Sequence, residues 1–235
     1  MSDQETSGSG APIYRYNPDQ ERPFEYASGG DNIELISSHI EQHVGPVDMV
    51  FHELISDLVH IDVHWVKPSA DYPFHTLVTS GMSDRPMHVP EGFEAHRYAE
   101  LCILLPADWP ISEEAFKDEN NYWPVRWLKL LSRFPHEYKT WLAWGHTIPN
   151  GEAAHPMADN TELGCMLLLP SINLPNDFHE LVVNEEQTIR FYCLYPIYKE
   201  ELDYKLEHGA EGLLDKFEEF DIPNVVDIHR VNTCA

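Results

Sequence analysis

The sequence predicts an α/β (α+β) fold, one mixed β-sheet covered by helices, and three observations lead there. The runs AELCILLP and LGCMLLLP are apolar on both alternate sets of positions, as in strands buried on both faces, and TIRFYCLYP reads as a further strand. Other segments place apolar residues at helical spacing, beginning with Ile33, Ile36, Ile40 and Val44. The two kinds of segment do not alternate regularly, which favours a mixed sheet over a doubly wound parallel one. A chain of 235 residues, 43% apolar and 11% aromatic, has enough material for one core and is too apolar for overall disorder.

Residues 1–31 are rich in Ser, Gly, Pro and charge and have no period, so they read as a flexible N-terminal arm. Tyr14, Tyr16, Phe24 and Tyr26 are the side chains able to tack it to the body. One domain is expected over residues 32–235. Its first helix starts at Ile33, with Asp31 and Glu34 in capping-box positions and Gly45-Pro46 as the stop. In HIDVHW, Ile61, Val63 and Trp65 alternate with His60, Asp62 and His64, the period of a strand with one wetter face. Phe74 to Thr79 reads as its partner.

AELCILLP follows as a central strand ended by Pro106. In WPVRWLKLLSRFP, Pro124 suits the first turn of a helix whose inner face is Val125, Leu128 and Leu131. The Gly- and Pro-containing stretch from Trp144 to Thr161 reads as loop, and residues 171–187 as a polar connection. After the last strand, a helix carries Tyr198, Leu202 and Leu206 on one side as far as Gly209. A shorter helix follows with Leu213, Leu214, Phe217 and Phe220.

The formal net charge of −25 repels nucleic acid and anionic lipid and attracts basic protein surfaces. Cys102, Cys165, Cys193 and Cys234 show no CxxC spacing and read as reduced thiols. The polar N-terminus, MSDQETSGSGAP, has no apolar core of a leader, so a cytoplasmic location is expected.

Catalytic signatures are sparse. GxxxxGK[ST], GxGxxG and GxSxG do not occur, and HELIS (from His52) and HELVV (from His179) lack the second histidine of HExxH. Two readings stay open for His60, Asp62 and His64: metal ligands sharing one strand face, or a hydrogen-bonded polar face. The expectation is no metal and no other cofactor. Glu152, Asp159 and Glu162 offer close carboxylates in a loop, for which solvation is the simpler reading. Among the tryptophans, Trp109 and Trp144 stand at the ends of elements beside Pro- or Gly-containing loops, which marks them as interface anchors. Asp84, Trp109, Trp144, His146, Glu152 and Asp159 are therefore the candidate partner-binding residues. The Gly145-His146 pair also has a structural reading, a turn that needs glycine with a hydrogen-bonded histidine after it.

HTLVTSGMS (Thr79, Gly81, Met82, Ser83), AELCILLPADWP (Glu100, Pro106, Trp109) and YWPVRWLKLLSRFP (Trp123, Pro124, Leu128) occur in that order. WGHTI, CMLLLP and FYCLYPIYKEEL (Tyr195, Pro196, Glu200, Glu201, Leu202) come next, closing with Gly209. In order and spacing this series resembles the Suppressor-of-fused-like (SUFU) family over roughly residues 33–220. The resemblance implies an α/β protein-binding module rather than an enzyme. Animal members carry a second lobe and restrain a transcription factor, and bacterial single-domain members are similar to immunity proteins that neutralise toxins. It thus implies a bacterial-type antitoxin whose partner is a toxin domain with a basic surface, such as a nuclease. The rival readings are a metal-assisted enzyme using the His/Asp cluster and a regulatory binder of a transcription factor.

Overall fold

The computed structural model describes residues 5–17, 32–52 and 58–235. In chain order the elements are α1 (Ile33–His43), β1 (Val47–Phe51), β2 (Asp62–Val66), β3 (Phe74–Ser80), β4 (Tyr98–Pro106) and α2 (Glu119–Glu137). There follow β5 (Thr147–Pro149), β6 (Cys165–Leu169), β7 (Glu180–Val182), β8 (Thr188–Ile197) and α3 (Lys199–Glu219). The eight strands form one sheet in the order β1-β2-β3-β4-β8-β6-β5, with β7 on β8. Among the described residues only β4 and β8 pair in parallel, so the sheet is mixed as expected.

Each face of the sheet is packed. Val63, Trp65, Leu77, Leu101, Ile103 and Leu194 share one core with Trp123, Val125, Leu128 and Leu131 of α2. Val78, Cys102, Leu104, Leu167 and Cys193 share the other with Ile36 and Ile40 of α1 and Leu202, Leu213 and Phe217 of α3. α1 thus covers the face of β2 that its polar residues suggested was wetter. All five β2 residues are buried. The reason is that His64 finds polar partners inside: Ser37 of α1 at 3.1 Å and Ser80 of β3 at 2.9 Å.

Helix starts also differ from the sequence reading. Asn32 occupies the N-cap position of α1, and Asp31 lies outside the described residues, as do Phe24 and Tyr26 of the arm. α2 begins five residues before Pro124, where the Asp118 carboxylate accepts the Asn120 N–H at 3.0 Å. Pro124 therefore sits inside the helix and brings no N–H to the Asn120 carbonyl four residues back. Asn160 supplies a replacement donor at 3.3 Å. α3 breaks where expected, at Gly209 with φ 84° and ψ 172°. β5 and β7, three residues each, are too short to show a period, and β1 is broken by a register shift between Val47 and Met49, so all three escaped the sequence reading.

In the described part of the arm, the Ser9 N–H reaches the Leu206 carbonyl of α3 at 3.0 Å. Tyr16 packs edge-on to Phe134, 5.0 Å between centroids, and bonds Thr140 at 2.6 Å.

Leu104 lies in β4, between β3 and β8, with no exposed surface. Leu104→Ala is expected to lower unfolding free energy by about 2–5 kcal/mol through lost burial and a cavity. Urea denaturation measures this, and a loss below about 1 kcal/mol would remove β4 from the centre of the sheet.

Candidate interaction surface

The motif residues gather at two buried carboxylates. Gly81 has φ +105°, and a Cβ there would stand 1.8 Å from the His60 carbonyl oxygen, so the turn after β3 requires glycine. The turn leads into a 3-10 helix, Met82–Asp84, that brings Ser83 over Glu100 of β4. Glu100 is fully buried and accepts hydrogen bonds from the Thr79 hydroxyl (2.6 Å), the Ser83 N–H (2.9 Å) and the Ser83 hydroxyl (2.7 Å). Burial outweighs these bonds and raises its pKa to about 7.

The second carboxylate is Glu201, in the first turn of α3 and fully buried. It pairs with both terminal nitrogens of Arg230, at 2.7 and 2.5 Å, and accepts from the Tyr198 N–H and from the N–H and hydroxyl of Thr233. The Arg230 guanidinium also lies 4.9 Å from the Tyr198 ring centroid and 5.4 Å from that of Phe217. The segment after α3 is thereby clamped to the start of that helix.

The surface candidates separate. Trp109 is buried, edge-on to Trp123 at 5.9 Å, with its indole N–H on the Asn121 carbonyl at 3.0 Å. It is a core residue and not an interface anchor, because α2 starts early enough to cover it. Trp144 is 45% exposed, as an anchor must be. Asp84 is half-buried at the end of its 3-10 helix. His146 is half-buried against Trp141 at 4.6 Å, and burial lowers its pKa to about 4, with the Lys205 charge adding to the effect. At neutral pH it is an uncharged packing residue. Glu152 is exposed and stands 3.7 Å from Arg15 of the arm. Asp159 is exposed beside Asn160, which bonds the start of α2. These residues are therefore anchored to different elements.

An aromatic group that the sequence reading missed lies nearer the surface. Phe93 is 46% exposed and packs on Trp141 at 5.0 Å, and His96 stands 6.2 Å from both rings. The group draws on two segments that are far apart in sequence, so no local pattern announces it.

The His/Asp candidates regroup as well. Asp62 stands 3.0 Å from His60, two residues before it, and 3.0 Å from His52, at the end of β1. His64 points instead to Ser37 and Ser80, and burial holds its pKa down to about 4. His60 and Asp62 thus find their third neighbour across the strand pair rather than along β2. Among the described residues, no helix is long and apolar enough to cross a membrane.

The family model of Suppressor of fused protein matches residues 57–231, three quarters of the chain, including Glu100, Glu201 and Arg230. The chain belongs to the SUFU family. Solved SUFU structures share the fold. A crystal structure of a SUFU homologue from Neisseria gonorrhoeae aligns at 20% identity and TM-score 0.63, covering 87% of this chain and 98% of the homologue. The Sufu–Fu complex aligns at 15% identity and TM-score 0.60, with 86% and 92% covered. Drosophila Suppressor of Fused gives 16% and 0.50, and this chain spans 42% of it against 74% of its own length. Comparison with curated proteins gives no match.

Proposed function

We propose that this SUFU domain is a non-enzymatic, cytoplasmic protein-binding module, an immunity protein that neutralises a toxin domain by occupying its basic surface. The observation that carries the reading is a half-exposed aromatic group, Phe93 and Trp141 with Trp144 nearby in sequence, on a chain of net charge −25. Aromatic anchors hold interfaces, and surrounding charge steers encounter and excludes wrong partners. The family supports protein binding, since a Sufu protein is seen in complex with Fu. A nuclease toxin fits the charge, because its nucleic-acid cleft is basic and an acidic surface competes for it. Asp84, Glu152 and Asp159 are proposed as part of the acidic rim, and Trp144 as an anchor.

The reading requires a toxin domain encoded beside this gene, and stopped-flow mixing with that domain tests it. The association rate is expected to fall about tenfold between roughly 20 and 150 mM salt, with dissociation changing less. Trp144→Ala should accelerate dissociation, weakening binding by about 2 kcal/mol. A salt-indifferent association rate removes electrostatic capture, and a neighbouring toxin that neither binds nor is neutralised removes the immunity role.

A further inference from the structure

We infer that His52, His60 and Asp62 form a binding site for a first-row divalent transition metal of the zinc class, clipping the end of β1 to the start of β2. The strand pairing builds it. β1 and β2 run antiparallel with Phe51 opposite Val63, so one further step sets His52 opposite Asp62. His60 lies two residues from Asp62 and so returns to the same side of the chain. The three donor atoms, Nδ1 of His52, Nε2 of His60 and a carboxylate oxygen of Asp62, lie within 4.8 Å of one another. Each imidazole nitrogen is 3.0 Å from a different Asp62 oxygen. Donors bound tetrahedrally at zinc distances stand roughly 3.3 Å apart, so a small closing movement seats an ion.

Two further features suit a metal. The Asp62 side chain is 1% exposed, whereas those of His60 and His52 are 32% and 62% exposed. The anionic ligand is thus held in the protein while the neutral ligands face the entry side, leaving coordination positions open to water. The backbone of His60 is also fixed, because its carbonyl packs against Gly81 more closely than any side chain would allow. Two imidazoles and one carboxylate select zinc, nickel, cobalt or copper over magnesium or calcium, which take mainly oxygen ligands. His64 stays outside the set, engaged by its two serines.

The test is calorimetric titration of chelator-treated full-length protein with zinc chloride, with cobalt(II) absorption reporting the ligand field. One zinc per chain is expected at the cluster. His52→Ala and His60→Ala should each weaken it by about tenfold or more, whereas the exposed His155→Ala leaves it unchanged. The ligand-field band should disappear in the two cluster variants. His52→Ala removes an exposed side chain and keeps the test valid if His60→Ala folds poorly. Equal binding by all variants would show that zinc merely visits surface histidines and overturn the site. Absence of binding at about 100 μM zinc, weaker than structural or catalytic sites require, would overturn it too.

Discussion

Replacing Arg230 with Ala is expected to destabilise the domain by about 3–5 kcal/mol, the usual consequence of leaving one partner of a buried ion pair uncompensated. Glu201 has no exposed surface, and Arg230 is its cationic partner through two bonds of 2.7 and 2.5 Å. The truncation also removes the donors to the Pro196 and Val231 carbonyls and the stacking on Tyr198 and Phe217. The segment that follows α3 would lose its clamp. The larger part of the effect is desolvation of a lone carboxylate, so neutralising that carboxylate should relieve it. The double variant Glu201→Gln/Arg230→Ala is expected to be clearly more stable than the sum of the losses in Glu201→Gln and Arg230→Ala. Urea denaturation of the four proteins closes the cycle. A loss below about 1 kcal/mol in Arg230→Ala, or strict additivity, would mean that water solvates Glu201.

The ion pair joins residues 29 positions apart, and that separation explains why it was invisible in the sequence. Glu201 stood inside a recognisable motif, but nothing in IHRVNTCA announced its partner. What sequence did make legible was whatever depends on local period. The central strands followed from apolar runs, α1 from its four-residue stripe and the kink in α3 from Gly209. The strand carrying His64 was assigned correctly and its exposure wrongly, because hydrogen-bonded histidine satisfies the same alternation as a solvated one. Trp109 failed as a surface residue for a related reason. Its position beside a Pro-containing loop was visible, whereas the five extra helical residues that cover it depended on Asn160, which supplies the bond that Pro124 cannot. The His52–Asp62 contact depended on β1, whose alternation is broken by the register shift between Val47 and Met49. The aromatic group around Trp141 likewise required the tertiary fold.

Glu100 carries the other large expectation, and it has a pH signature. Glu100→Ala should lose roughly 3–6 kcal/mol, since the N–H and hydroxyl of Ser83 would be buried without their acceptor and a cavity would remain. Glu100→Gln should behave differently. The amide oxygen can still accept from Ser83, and the amide N–H can donate to the Thr79 oxygen, whose hydroxyl then turns to the Leu101 carbonyl 3.3 Å away. The wild-type carboxyl has its pKa raised from 4.5 to about 7 by burial, so the folded state holds the proton more tightly than the unfolded chain. Its contribution to stability is therefore complete below pH 4.5 and is lost as pH rises to about 7, by about 3 kcal/mol in all. His64, His136 and His146 act in the opposite sense, because burial lowers each to about 4 and their contribution disappears as pH falls from 6.5. The wild-type profile mixes these trends, but the difference between Glu100→Gln and wild type isolates the carboxyl. That difference should move in favour of the glutamine variant as pH rises from about 4.5 to 7 and then level off. Denaturation midpoints across this range measure it. A difference independent of pH would show that Glu100 is ionised throughout, with its three donors outweighing burial.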